Sequence, residues 1–217
     1  TDEMILTISP DATVSADVGA TICEGSTHTL SGSFGGGASS ITWTTSGDGT
    51  FDNASLTAAT YTPGSNDITN GTATLTITTD DPTGPCVAVT DNMTLTISLD
   101  ATVSADVGAT ICEGSTHTLS GSFGGGASSI TWTTSGDGTF DNAALTAATY
   151  TPGSSDISGG TVTLTITTDD PDGGGPCTAA TDNMTLTIDP AASTSAGIGA
   201  TICEGSTHTL SGSFGGG

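Results

Sequence analysis

The chain has 217 residues, of which 23 are Asp or Glu and none is Lys or Arg, giving a formal charge of −23. With no cationic side chain to neutralise a phosphate, nucleic acid and anionic membrane surfaces are poor partners, and Schiff bases, phosphate-anchoring lysines and Lys–Asn isopeptide staples are ruled out. Charged residues make up only 11% of the chain against 33% hydrophobic, and most other polarity is uncharged Thr, Ser and Gly, a balance that fits a folded β protein better than a disordered acidic tail.

The chain opens on TDEMILTISP, which matches TDNMTLTISL at Thr90 and TDNMTLTIDP at Thr181. Residue 1 thus falls inside an apparent strand rather than a targeting segment, and no stretch reaches the length of a membrane-spanning helix. Next comes ICEGSTHTLSGSFGGG, beginning at Ile22 and recurring at Ile111 and Ile202, 89 and then 91 residues later. A period of this size marks a tandem array and governs every later reading. Between Asp11 and Asp81 the two full copies differ at five places, Ser55/Ala144, Asn66/Ser155, Thr69/Ser158, Asn70/Gly159 and Ala73/Val162, and the two extra residues of the second copy lie where DDPTGPC becomes DDPDGGGPC. The expected organisation is 1–10 as the last strand of a preceding repeat, 11–99 as repeat 1, 100–190 as repeat 2 and 191–217 as the start of a further, truncated repeat.

Within a copy, His28, Leu30 and Phe34 read as one strand ended by Gly35 to Gly37, and Ile41 and Trp43 alternate with Thr42 and Thr44 as a strand with one face inside. Gly47, Asp48 and Gly49 form a turn, and Tyr61, Pro63 and Gly64 end another strand. Ala73, Leu75 and Ile77 share one face of a strand. Val87, Val89, Met93, Leu95 and Ile97 share the inner face of its hairpin partner, the two being joined through the DDPTGPC loop. Helix signals are absent. About seven short strands with one Trp and a Cys pair per copy predict an all-β fold, a tandem array of immunoglobulin-like sandwiches, each large enough to hold its own core. The links around Pro10, Leu99 and Pro190 are short, which predicts a semi-rigid array.

The motifs ICEGSTHTLSG, ITWTTSGDGTFDN, ATYTPGSNDI, GTATLTITTDDP and C-x-x-x-T-D-N-M-T-L-T-I together resemble the PKD-like and immunoglobulin-like repeats of giant secreted surface proteins of Bacteroidetes-type bacteria, gliding-motility-type adhesins among them. The resemblance covers essentially the whole chain. It implies an extracellular or cell-surface location and a structural or adhesive role, and it carries over no catalytic residue, so no enzyme activity is expected.

The five cysteines fit the period as Cys23 with Cys86, Cys112 with Cys177, and Cys203 with a partner outside the sequence. Free thiols and metal ligation are the alternatives. A seven-strand count sets Cys23 and Cys86 toward opposite ends of the sandwich, in tension with that pairing. His28, His117 and His208 recur once per unit and read as strand residues rather than ligands or bases. Asp48, Asp52, Asp80, Asp81 and Asp91 supply hard oxygens on loops, the ligand type for Ca²⁺, although their spacing matches no EF-hand and Asp is also an ordinary turn former. Outward Thr rows fit β-propensity first, with an O-glycan surface or an ice- or sugar-contacting face as alternatives. Asn53, Asn70, Asn92 and Asn183 begin N-glycosylation sequons, while Trp43 and Trp132 read as core. The partners expected are neighbouring copies of the same repeat, parallel chains in a filament, and, if the repeats are Ca²⁺-dependent adhesin modules, glycans or other cells.

Overall fold

The computed structural model describes residues 2–216. The chain forms two compact units: the stretch up to Ala101 together with Asp170–Thr178, and Thr102–Asp169 together with the stretch from Ala179 onward. The first unit therefore takes in a loop that the sequence numbers with the second copy.

In chain order the first unit builds β1 (Ala12–Ser15), β2 (Ala20–Cys23), β3 (His28–Thr29), β4 (Ser33–Gly36), β5 (Ile41–Thr45), β6 (Thr50–Phe51), β7 (Thr60–Thr62), α1 (Ser65–Asn70), β8 (Thr72–Thr79) and β9 (Thr90–Ser98). The strict Thr/apolar alternation of β8 and β9 makes them the centre of a four-stranded sheet of order β2-β9-β8-β5. On its inner face Ala73, Leu75, Ile77, Met93, Leu95 and Ile97 are buried. The outer face carries cross-strand rows such as Thr72 opposite Thr96 and Thr74 opposite Thr94. A three-stranded sheet, β3-β7-β6, and a β1-β4 ribbon complete the fold, and Trp43, Tyr61 and Leu30 fill the core among the sheets. The chain is thus all-β, with immunoglobulin-like sandwich sheets. The four- and three-stranded sheets account for the expected seven strands, and the ribbon adds two more.

Three expectations give way here. His28, Leu30 and Phe34 do not share a strand. Buried Leu30 and Gly32 donate their amides to the Ala59 and Thr57 carbonyls at 2.9 and 3.0 Å, which holds β3 in one sheet and leaves β4 to pair with β1, with Phe34 partly exposed. Val87 is likewise exposed, since β9 starts only at Thr90. The short helix α1 was not signalled: six residues are too few for a 3.6-residue pattern, and its start rests on capping rather than periodicity.

The second unit repeats the plan with β10 (Ala101–Ser104), β11 (Ala109–Cys112), β12 (His117–Thr118), β13 (Ser122–Gly125), β14 (Ile130–Thr134), β15 (Thr139–Phe140), β16 (Thr149–Thr151), α2 (Ser154–Gly159), β17 (Thr161–Thr168) and β18 (Thr181–Asp189). Its sheets are β11-β18-β17-β14, β12-β16-β15 and β10-β13, around a core holding Trp132, Tyr150 and Leu119. Two more strands, β19 (Ser193–Ser195) and β20 (Ser213–Gly215), form an exposed ribbon in the register of β1 and β4, with Thr194 opposite Phe214 as Val14 is opposite Phe34. Residues 2–11 form no strand, although the matching stretches are the central β9 and β18. Those strands are held on both sides by strands of their own copy.

Candidate functional site

The feature that sets this chain apart from a string of self-contained sandwiches is where its cysteines meet. Cys23 ends β2, which runs parallel to β9 and brings Cys23 opposite Ser98. The bond it makes is to Cys177, 154 residues away, with the two Cα atoms 5.4 Å apart. Cys177 sits in the Asp170–Thr178 loop, folded on its own carboxylate: Asp172 accepts the amides of Gly175 and Cys177, both at 3.0 Å, and the consecutive left-handed Gly173 and Gly174 let the chain reverse. Both cysteines are buried, at 9% and 2% exposure. The Asp100 carboxylate lies within 4.8 Å of both sulfurs, and Asp100 donates its amide to Glu24 at 3.4 Å.

The pairing of Cys23 with Cys86 and of Cys112 with Cys177 is therefore not made. Cys86 lies in the loop that enters β9, whereas Cys23 stands opposite the residue that ends it. Roughly 25 Å of extended strand separates the two ends, far beyond disulfide reach. Cys86, Cys112 and Cys203 are free thiols. The Cys86 sulfur faces the Ser9 carbonyl at 3.4 Å, and burial, reinforced by Asp11 and Asp81, pushes its pKa up.

Among the described residues no three of the five carboxylates offered for Ca²⁺ come together as one group, and four of them are engaged on backbone amides. Asp48 accepts the amides of Asn66 and Asp67 at 3.1 and 3.3 Å, capping α1. Asp52 accepts Asn53 and Thr60 at 2.6 and 2.7 Å, Asp80 accepts Ser39 and Ser40 at 2.8 and 2.9 Å, and Asp91 accepts Ala16 at 2.9 Å. Asp81 is exposed at the mouth of the Cys86 loop. These amide bonds hold Asp48, Asp52 and Asp80 below the usual carboxylate pKa, with the bond from Asn66 leading for Asp48, that from Thr60 for Asp52, and the Ser39 hydroxyl for Asp80. Among the described residues, the one group of three metal-capable side chains is Cys23, Asp100 and Cys177, and its sulfurs are already bonded to each other.

Sequence reasoning missed Asp67. It is 1% exposed and accepts Gly64 and Gly49 amides at 3.0 and 3.1 Å and the Tyr61 hydroxyl at 2.7 Å. Asp156 repeats the arrangement with Gly153, Gly138 and Tyr150. The available signal was an acid three residues after a glycine that follows a strand end, the carboxylate half of a capping box. His28 lies on β3 opposite Tyr61, and its pKa is lowered by burial against the opposing pull of Asp17. Asn53, Asn70, Asn92 and Asn183 are all exposed, the last two on outer sheet faces. Each unit also bears a shallow concavity of about 210–220 Å³ beside an exposed aromatic ring, lined by Thr13, Val14, Ser15, Ser33 and Phe34 in one and by Thr102, Val103, Ser104, Ser122 and Phe123 in the other. No described helix is long and apolar enough to cross a membrane.

No family model matches the sequence, and no curated protein matches it. Among solved structures, the chain is similar to an I-band fragment, I67–I69, from titin, at 10% identity over 86% of this chain and 68% of that one, with a TM-score of 0.49. Mouse cadherin-23 EC22–24 gives 11% identity, 83% and 68% coverage and a TM-score of 0.44. DIP-gamma IG1+IG2 gives 11% identity, 83% and 99% coverage and a TM-score of 0.44.

Proposed function

We propose that this chain is a stretch of an extracellular structural protein whose repeated sandwiches form a semi-rigid fibre or stalk, of the kind found in repeat adhesins of Bacteroidetes-type bacteria. The observation that carries the reading is the Cys23–Cys177 bond, which joins one copy of the repeat to the next rather than closing a copy on itself. A protein whose work is to hold length under load gains from such a bond, because it transmits force between copies independently of weaker contacts. A disulfide is kept in oxidising compartments outside the cytosol, and the lack of Lys and Arg removes every trypsin-type cleavage site; both support an exposed, durable role. Neighbouring copies and parallel chains are the partners of this reading. Electron microscopy of the native material tests it: a beaded fibre with a repeat of roughly 35–45 Å, from strand rise and loop length, is expected, and compact particles overturn it.

A second reading draws on the concavity beside Phe34, repeated at Phe123, and makes each repeat an adhesin module for glycans or other cells. Glycan-array binding that disappears in a Phe34→Ala, Phe123→Ala double variant supports it, and an array without binding removes it.

A further inference from the structure

Three carboxylates gather at the Cys23–Cys177 bond of the first unit, in a chain with no Lys or Arg. Asp100, in the exposed link that follows β9, sets a carboxylate oxygen within 4.8 Å of both sulfurs. Glu24 follows Cys23 directly and accepts the Asp100 amide at 3.4 Å, which fixes the link beside the bond. Asp172 accepts the Cys177 amide at 3.0 Å, and that bond leads in holding its carboxyl below the usual range, so it is charged at neutral pH. Both cysteines are buried while Asp100 is exposed, and a reagent that bonds either sulfur must come close to the Asp100 carboxylate. The same pairing of groups recurs at Cys86, whose sulfur lies beside Asp11, the residue that holds the place of Asp100 in the repeat. There burial leads in raising the thiol pKa and Asp11 adds to it, so a carboxylate at this place opposes negative charge on the neighbouring sulfur.

We propose that the Asp100 carboxylate selects which thiols exchange with the Cys23–Cys177 bond, admitting cationic ones and resisting anionic ones such as glutathione. The proposal deepens the structural-repeat reading and rests with it on that bond. Exchange begins when a thiolate attacks one sulfur: a new S–S bond forms, the old one breaks, and the second protein sulfur leaves as a thiolate. A second thiolate then attacks the mixed disulfide. In sum, two small-molecule thiols give up two electrons and two protons and become one disulfide, while the protein bond takes up both and becomes two thiols. In the first attack negative charge is spread over three sulfurs, two of them the protein's. A fixed carboxylate within 4.8 Å of those two raises the energy of that arrangement, and it repels a reagent with further negative charge more strongly still. A cationic amine on the reagent offsets both effects. The charge of the reagent, and not burial alone, then sets how long the bond lasts.

The test takes the oxidised 217-residue chain with its free thiols capped by iodoacetamide and follows the appearance of new thiols by mass in low salt. Glutathione, neutral mercaptoethanol and cationic cysteamine serve as reductants, each rate being divided by the thiolate concentration. Asp100→Asn keeps the size of the side chain and the backbone bond to Glu24 and removes the charge. It should speed exchange with glutathione by roughly fivefold, the effect of one unit charge a few ångström away in water, with mercaptoethanol by less and with cysteamine least. Asp100→Lys should go further in the same order, and about 0.5 M NaCl should narrow the spread. An equal acceleration with all three reagents overturns the proposal, because it marks a loosened loop rather than a removed charge, and so does an unchanged glutathione rate. A peptide map of the oxidised chain, cut at acidic residues, reports separately on the reading beneath. A Cys23–Cys177 peptide with equal accelerations sinks only the selection by charge, whereas a Cys23–Cys86 peptide in its place sinks both.

Discussion

The hydroxyl of Tyr61 donates to the buried carboxylate of Asp67 at 2.7 Å in a chain with no Lys or Arg to neutralise it. The Asp67 side-chain oxygen is met by hydrogen-bond donors alone, two glycine amides and one phenol. Burial, followed by the bond to Asp67, raises the Tyr61 pKa to about 12, and Tyr150 behaves alike beside Asp156. The folded value exceeds the unfolded value of 10.0, so this stabilisation is complete below about pH 10 and is lost as pH rises toward 12. Absorbance at 295 nm, with these two tyrosines as the only phenols, should show no ionisation until near pH 12. Tyr61→Phe leaves Asp67 one donor short and should cost the first unit about 2 kcal/mol in urea unfolding, with the second unit as an internal control. A phenol titrating near pH 10 in folded protein sinks this account.

Gly32 and Gly25 separate crowding from backbone conformation. A Cβ on Gly32 meets Trp43 Cζ2 at 2.6 Å and Ile77 Cδ1 at 2.9 Å, whereas one on Gly25, at φ +77°, meets nothing within 4 Å. Gly32→Ala should therefore destabilise by about 2–3 kcal/mol through overpacking and red-shift the tryptophan emission relative to wild type. Gly25→Ala should cost about 1 kcal/mol from its left-handed backbone and leave that emission unchanged.

Acid acts through the capped carboxylates. Asp48, Asp52 and Asp80 have folded pKa values below 3.8, and Asp169 lies at about 2. A depressed folded value means stabilisation that is complete above about pH 5 and lost as pH falls through 4 toward 2. Protonation also relieves the repulsion of 23 acidic groups, so the loss is read cleanly in 0.5 M NaCl, where that repulsion is screened. The melting temperature should fall between pH 5 and pH 2 in that salt, and Asp80→Asn should flatten the fall. A melting temperature that rises on acidification in high salt contradicts the capping role.

Salt should stabilise without selectivity. With no internal cations the repulsion is relieved by solvent ions, and four of the five candidate Ca²⁺ carboxylates, three next to turns and Asp91 on β9, are engaged on backbone amides. Melting temperature should rise with NaCl, and Ca²⁺ and Mg²⁺ at matched ionic strength should act alike. A saturable rise with Ca²⁺ alone, abolished by Asp48→Asn or Asp80→Asn, would instead reveal a specific ion.

The features legible in the sequence are those set by nearest neighbours along one strand. Leu75, Ile77, Leu95 and Ile97 announced their inner face because strand alternation is fixed by backbone geometry, and Trp43 was legible as core for the same reason. What depended on distant partners was not legible. The cysteine pairing follows from β2 lying parallel to β9, with Cys23 opposite Ser98, a match that no local pattern encodes. Asp67 looked like one acid among 23, and only its enclosure by Gly49, Gly64 and Tyr61 sets it apart. The loop acids Asp48, Asp52 and Asp80 were noticed as a group but proved to be the caps and turn-holders of separate segments.

The link from residue 23 to residue 177 also changes what damage does. A single backbone cut anywhere between them, whether by a protease or by chemical ageing at an Asn-Gly pair such as Asn70-Gly71, leaves both halves tied through sulfur. Severing the chain at that point requires two independent lesions, a chain break and a reduction.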